Sequence, residues 1–238
     1  MKNILKIQIW SDIMCPFCYI GKRRIESALQ KFDNRDAVEI IWKSFQLDPN
    51  FVASASDDLA THLAVKYRKD ADWSHTMLAD MTQNAKNSGL DFHFEKVVMA
   101  NSLHAHRLLH LAKKFNLAND LKELLFKSYF TDGKDINDLD TLKELGVAVG
   151  LNAVAIDEVL HSDAYIYDVQ QDINESQSIG VQGVPFFVFD GKYAVSGAQH
   201  VDTFLQTLEK VWHEGNFNSK VLPQHIADGN TCGVEGCD

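Results

Sequence analysis

Apolar and polar positions alternate at the start of the chain and then change to a helical period. Residues 5–10 alternate, which is typical of a half-buried strand. From Tyr19 onward apolar residues recur at helical spacing, so we predict a helix that runs to about Phe32. Residues 38–45 are rich in β-branched and aromatic side chains and predict a second strand. This order predicts a right-handed strand–helix–strand unit with parallel strands.

A long stretch without proline follows. Residues 57–179 contain no proline, and their apolar side chains recur at helical spacing on several faces. Asp138 or Asp140 is a candidate N-terminal cap for one of the helices. The stretch therefore predicts an all-α-helical block of about 120 residues.

Strand character returns near the end of the chain. Residues 184–189 predict a strand, Asp190 and Gly191 a hairpin turn, and residues 193–195 a return strand. Residues 201–212 show the period of an amphipathic helix. Residues 215–238 have no clear period and are rich in Gly, Asn and Asp, so we expect a tail on the surface.

Composition and charge narrow the classes of partner. The 238 residues are 45% hydrophobic and 24% charged, as in an ordinary soluble globular protein. With 23 Lys and Arg against 33 Asp and Glu, the net charge is −10, so we expect no binding to nucleic acid or membranes. No apolar leader segment or membrane-length stretch is visible, which predicts a cytoplasmic protein.

The strongest chemical signal is Cys15-Pro16-Phe17-Cys18, between the first predicted strand and helix. A helix N-terminus favours negative charge, which predicts that Cys15 is an exposed nucleophile with a lowered pKa. Pro16 suits the first helical position. Cys18, one turn later on the same face, can resolve a mixed disulfide formed by Cys15. Half of a zinc site and a pair of inert thiols are the alternative interpretations.

Several segments support a resemblance that covers essentially the whole chain. The chain resembles the DsbA-like branch of the thioredoxin superfamily and, more narrowly, its FrnE-like subgroup. The segments that carry the resemblance are Cys15-Pro16-Phe17-Cys18, Ser11–Pro16, Phe45–Pro49, Asn101–Leu108, Gly180–Pro185 and Gly183–Phe187.

The resemblance and the element order together predict an α/β protein. Its thioredoxin-like fold is interrupted by a large all-α-helical insertion domain. We expect residues 1–56 and 180–214 to form a discontinuous thioredoxin-like domain, and residues 57–179 to form the helical insertion domain. Residues 215–238 form a C-terminal tail that carries a second cysteine pair.

The resemblance also implies a catalytic role for Pro185, with a cis Val184–Pro185 bond. Cis peptides belong almost entirely to X-Pro, although a trans proline opening an edge strand is the simpler reading of the residues alone. We expect the main-chain groups of Val184 to be free to bind an extended substrate, strand to strand. Phe17, between the cysteines, is expected to be largely exposed and to contact substrate.

Cys232 and Cys237 enclose four residues, two of them glycine. The resemblance implies an auxiliary redox pair that exchanges with Cys15 and Cys18. Two idle thiols, or a four-cysteine zinc site completed by Cys15 and Cys18, remain open. Asp12 is either a helix cap or a proton shuttle for Cys18, and capping is the simpler reading.

The predicted function is that of a cytosolic thiol–disulfide oxidoreductase or isomerase. The expected partners are disulfide- or thiol-containing proteins or small thiols, with the chain acting as a monomer or homodimer. No metal or other cofactor is required, and glutathione is a candidate redox partner. The alternatives are a zinc-binding interaction protein or a glutathione-dependent isomerase or transferase resembling the kappa-class branch, which carries serine in place of the nucleophilic cysteine.

Overall fold

A computed structural model gives the structure of the protein and describes residues 4–52, 58–215 and 224–233, together with the backbone of Gly236 and Cys237. The described chain divides into two compact units. Residues 4–45 and 172–233 belong to the first unit, and residues 46–171 belong to the second. All the cysteines with described side chains lie in the first unit.

The first unit contains a mixed five-stranded sheet. Its strands are β1 (Leu5–Ser11), β2 (Val38–Ser44), β3 (Phe186–Phe189), β4 (Tyr193–Ser196) and β5 (Gln224–Ala227). Across the sheet the order is β2-β1-β3-β4-β5, with β1 parallel to β2 and β4 parallel to β5. The pairs β1–β3 and β3–β4 are antiparallel. The predicted parallel pair and the predicted hairpin are both confirmed.

Helices account for most of the remaining chain. The first unit carries α1 (Pro16–Lys31) and α9 (Val201–Glu214). The second carries α2 (Leu59–Tyr67), α3 (Ala71–Asn87), α4 (Leu103–Lys113), α5 (Ala118–Phe130), α6 (Leu139–Ala148) and α7 (Ala153–Leu160). The last helix of the stretch, α8 (Ile166–Ser178), begins in the second unit and ends in the first. Two short strands, β6 (Cys232–Gly233) and β7 (Gly236–Cys237), end the chain.

The fold class is confirmed as α/β, with the predicted helical stretch inserted in the sequence between the parts of a thioredoxin-like sheet. Helix α1 begins at Pro16, because proline at the first helical position has no N–H to leave unpaired. Asp138 caps α6 as predicted, since its carboxylate accepts a hydrogen bond from the Thr141 amide at 2.8 Å.

Residues 224–231 are all exposed or half-buried, which agrees with the expected surface tail, but the sequence did not predict that this segment pairs with the sheet or that Cys232 is buried. Strand β5 is the edge strand of the sheet, beside β4, and Cys232 is fully buried. An unpaired strand edge exposes N–H and C=O groups that need partners, and β5 supplies them for β4. Four residues are too few to show a strand period, so this pairing left no pattern in the sequence.

Buried aromatic and aliphatic side chains hold the helices of the first unit to its sheet. Phe204 of α9 meets Phe187 of β3 edge to face, with ring centroids 4.6 Å apart. On α1, Gly21 brings the helix close to Pro185, because a Cβ on Gly21 would lie 2.9 Å from the Pro185 Cγ. The absence of a side chain at Gly21 therefore sets how closely α1 approaches the segment that opens β3.

We predict that Gly21→Ala lowers the free energy of unfolding by about 1–3 kcal/mol, the usual effect of overpacking. The new methyl group would press on the Pro185 ring and the Phe187 ring, neither of which can move aside easily. Denaturant titration measures the change. Gly146→Ala in α6 is the matched control. Its Cβ would lie 2.7 Å from the flexible end of the Ile156 side chain, which can move aside, so its effect on the free energy of unfolding should be smaller. Equal stabilities of the Gly21→Ala protein and the parent would contradict this account of the packing.

Candidate active site

The junction of β1 and α1 places the two thiols of Cys15-Pro16-Phe17-Cys18. Cys15 is the N-cap residue of α1, and its amide donates to the Asp12 carbonyl at 3.3 Å. The Cys18 amide in turn donates to the Cys15 carbonyl at 3.0 Å. Both cysteines are free thiols. The sequence therefore predicted correctly that the first thiol lies at a helix N-terminus.

A segment far away in sequence meets Cys15. Antiparallel pairing of β1 with β3 sets Trp10 opposite Phe186, so the residues before Phe186 lie beside the end of β1. The Cys15 Sγ donates a hydrogen bond to the Val184 carbonyl at 3.5 Å. The Val184–Pro185 peptide bond is cis, which confirms the expectation drawn from the resemblance.

The expectation of an exposed, acidic Cys15 is wrong for this conformation. Cys15 is fully buried and Cys18 is 1% exposed. Burial raises the pKa of Cys15 well above the usual value for a thiol, and a side-chain hydrogen bond with Cys18 raises it further. The Cys18 amide stabilises the Cys15 thiolate and lowers the pKa, as a helix N-terminus should, but burial outweighs this effect.

Asp12 is buried beside the thiols. Its carboxylate accepts a hydrogen bond from the Met14 amide at 3.4 Å, in the turn that precedes α1. The N-cap position itself is held by Cys15, without a side-chain capping bond, so Asp12 is not the N-cap residue that the sequence suggested. Its negative charge is a further cause of the raised pKa of Cys15. A proton-shuttle role stays a prediction.

Phe17 is 2% exposed, so the prediction of a largely exposed side chain between the cysteines is wrong. Continuous burial at the start of α1 explains the difference. Residues 17–22 are all buried, so the start of the helix is surrounded on every side rather than on one face. Sequence spacing reports which face is apolar, but it does not report how many sides of a helix are covered.

The expectation that the main-chain groups of Val184 are free is also wrong. The Val184 amide donates to the Cys232 carbonyl at 2.7 Å, and the Cys232 amide donates to the Val184 carbonyl at 2.6 Å. This isolated antiparallel bridge fills the position that we expected for an extended substrate. The chain's own C-terminal segment therefore occupies the candidate docking edge.

Cys232 is disulfide-bonded, in contrast to the free thiols of Cys15 and Cys18. The side chain of Cys237 lies outside the described residues. Asn230 and Thr231 also belong to this region, because the Asn230 carbonyl accepts a bond from the Ala198 amide at 3.0 Å and Thr231 lies against Gly183. Sequence reasoning missed both, since neither residue type carries redox chemistry.

Within the described part of the chain, no group of three or more His, Cys, Asp or Glu side chains is arranged to hold a metal ion. None of the helices described is long and apolar enough to cross a membrane.

The fold and the paired thiols beside Val184 and Pro185 define the class of protein. Residues 6–209 match the DSBA-like thioredoxin domain, and the chain belongs to this family. It has the fold of the DsbA-like thiol–disulfide oxidoreductases. A crystal structure of a probable DsbA oxidoreductase from Streptomyces coelicolor has 36% sequence identity and a TM-score of 0.83, with 98% of both chains covered.

The chain is also similar to more distant proteins. The uncharacterized protein YwbO from Bacillus subtilis (strain 168) is 28% identical over 205 residues, which are 83% of this chain and 92% of YwbO. The cytosolic disulfide reductase DsbM from Pseudomonas aeruginosa has a TM-score of 0.60 at 13% identity, with 88% of this chain and 100% of DsbM covered. At that identity the likeness shows the fold alone.

We predict that Asp12→Asn lowers the pKa of Cys15, because a negative charge that opposes the thiolate is removed. Cys15 should then react with iodoacetamide at lower pH, since only the thiolate is nucleophilic. Mass spectrometry of the Cys15 adduct across a pH series measures the midpoint. Asp36→Asn is the control, because the Asp36 side chain is 99% exposed and its charge faces solvent. A midpoint at the same or higher pH in Asp12→Asn would contradict the assigned effect.

Proposed function

We propose that this protein catalyses thiol–disulfide exchange, with Cys15 as the attacking thiol and Cys18 as the resolving thiol. The observation that supports this most directly is the placement of Cys15. Its sulfur lies at the N-terminus of α1 and 3.5 Å from the Val184 carbonyl, at the edge where a strand can bind. Cys18 follows one helical turn later, with its own thiol free and hydrogen-bonded to Cys15.

The proposed reaction has two displacements. The Cys15 thiolate attacks one sulfur of a substrate disulfide, which forms a mixed disulfide and releases the other substrate sulfur as a thiolate. Cys18 loses its proton and attacks the Cys15 sulfur, which releases the second substrate thiolate and leaves a Cys15–Cys18 disulfide. Two electrons pass from the dithiol to the substrate. The reverse sequence oxidises a substrate dithiol, and an interrupted sequence isomerises a substrate disulfide.

We further propose that the protein works in the cytosol with glutathione as its redox partner. Two molecules of glutathione reduce the Cys15–Cys18 disulfide and leave as oxidised glutathione, which closes a reductive cycle. The cytosolic disulfide reductase DsbM, which shares the fold, has also been crystallised with glutathione. No metal or other cofactor takes part in this cycle. The direction of catalysis depends on the potential of the Cys15–Cys18 couple relative to the glutathione pool.

We assign Cys232 and Cys237 to an auxiliary pair that exchanges with the active-site dithiol, as in the FrnE-like subgroup. The support is the pairing of Cys232 with Val184, since the Val184 carbonyl also accepts the hydrogen bond from Cys15. Cys232, which forms a disulfide, is therefore held next to the proposed nucleophile Cys15, where a substrate would bind. A covalent tether of this kind raises the effective concentration of one pair at the other.

We predict that Cys18→Ser accumulates mixed disulfides, whereas Cys15→Ser forms none, because only the first thiol attacks and only the second resolves. Each variant is incubated with oxidised glutathione and the intact protein is weighed by mass spectrometry. The native protein serves as the control, because Cys18 should release its adduct. Equal trapping by the two variants would contradict the assigned order of attack.

We also predict that Cys18→Ser yields an internal disulfide between Cys15 and a tail cysteine when no external disulfide is added. Cys15 attacks the disulfide of Cys232, and without Cys18 the product cannot be resolved at the active site. Peptide mapping without reduction identifies the linked cysteines. Cys15→Ser is the control, and a Cys18→Ser protein without this cross-link would reduce the tail pair to bystanders.

A further inference from the structure

The tail segment, defined as residues 229–232, is bound to the rest of the first unit by backbone hydrogen bonds. Two of these bonds join Cys232 to Val184, at 2.7 and 2.6 Å. A third runs from the Ala198 amide to the Asn230 carbonyl, at 3.0 Å. The bonds depend on main-chain atoms, as they do when a substrate peptide adds a strand to a sheet edge.

Two glycines make room for the tail segment. A Cβ on Gly197 would lie 2.3 Å from the Gly229 carbonyl carbon and oxygen. A Cβ on Gly183 would lie 2.8 Å from the Thr231 hydroxyl and 3.1 Å from the Cys232 carbonyl. Any side chain at these positions would collide with the tail segment. The surface that receives the tail is therefore shaped to fit it closely.

The seated tail segment uses the hydrogen-bonding groups of Val184. The single Val184 amide proton is donated to Cys232, and the Val184 carbonyl accepts from both the Cys232 amide and the Cys15 thiol. A carbonyl oxygen has two lone pairs, so both are engaged. Val184 has no group left with which to bind a second extended chain.

We propose that the tail segment determines substrate class, by excluding extended polypeptides from Val184 while it is seated. Small disulfides, which need no strand pairing, are then the preferred substrates of the seated form. The inference rests on the proposed function, because it concerns access to the same Cys15–Cys18 dithiol.

The discrimination follows from what each substrate must displace. Cys15 has to become accessible to either kind of disulfide, so that requirement affects both rates and cancels in their ratio. Only the polypeptide must also break the two bonds between Cys232 and Val184 and compete with a segment held by a covalent tether. From the usual net contribution of backbone hydrogen bonds, we expect the seated tail to disfavour a polypeptide by roughly tenfold or more.

The test uses the full-length protein with Cys15 and Cys18 reduced and the disulfide of Cys232 intact, and the rate of internal exchange, measured without added disulfide, is subtracted. Stopped-flow measurement gives the rate at which two disulfides oxidise the Cys15–Cys18 pair. One is oxidised glutathione, and the other is a synthetic unstructured peptide that carries one disulfide. Gly183→Ala is the test variant, because its methyl group would press on Thr231 and Cys232 without requiring an unusual backbone angle. Its peptide-to-glutathione rate ratio should rise roughly tenfold.

Gly229→Ala is the matched control within the tail segment. Its Cβ would lie 2.5 Å from the amide nitrogen of the Gln199 side chain, which can move aside, so the tail should stay seated and the ratio unchanged. Hydrogen exchange at the Val184 amide reports seating independently of activity, with protection in the native protein and in Gly229→Ala, and loss in Gly183→Ala. If Gly183→Ala keeps the protection, Gly183→Val repeats the test with a larger side chain.

The outcomes separate the two proposals. An unprotected Val184 amide in the native protein overturns the inference, and so does an unchanged rate ratio in a Gly183 variant that has lost protection. Either result leaves the exchange activity of Cys15 and Cys18 intact. The Cys15→Ser variant gives the background rate for each disulfide. If neither disulfide reacts faster with the native protein than with this variant, the proposed function fails and the inference fails with it.

Discussion

Two donors share the carbonyl oxygen of Val184, and the arrangement of the whole candidate site depends on it. The Cys15 thiol approaches from the start of α1, and the Cys232 amide approaches from the C-terminal segment. Neither contact would exist without the antiparallel pairing of β1 and β3, which sets Trp10 opposite Phe186. One acceptor therefore connects the Cys15 thiol, the segment that opens β3 and the C-terminal segment.

Burial and the helix N-terminus act on Cys15 in opposite directions. A helix N-terminus stabilises a thiolate, and the Cys18 amide does so here, but a fully buried thiol loses the solvation that its charged form needs. Asp12 adds a negative charge that opposes the thiolate. Because burial dominates, it favours the protonated thiol of Cys15 over the thiolate in this conformation. A substrate disulfide can react only if it reaches the buried Cys15. The proposed effect of the tail segment is on which substrates can do so.

Close backbone contacts explain why the tail can occupy this edge. The approach of Gly229 to Gly197, and of Thr231 to Gly183, leaves no room for a Cβ on Gly197 or Gly183. Strand β5, which precedes the tail segment, pairs with β4 and so positions the tail segment beside Val184. The backbone hydrogen bonds that an extended chain would make at a strand edge are thus made here by part of the same chain.

The sequence alone determined the local features. The two-residue period of β1, the period of α1 and the proline at its first position located the thiols at a helix N-terminus, because these signals lie within a few neighbouring residues. The apolar, β-branched and aromatic residues of β3 and β4 and the turn residues Asp190 and Gly191 likewise located the hairpin. Only the tertiary structure decided the burial of Cys15 and Phe17, the place of β5 and the pairing of Val184 with Cys232. These features depend on contacts between residues far apart in the chain, and such contacts leave no period in the sequence.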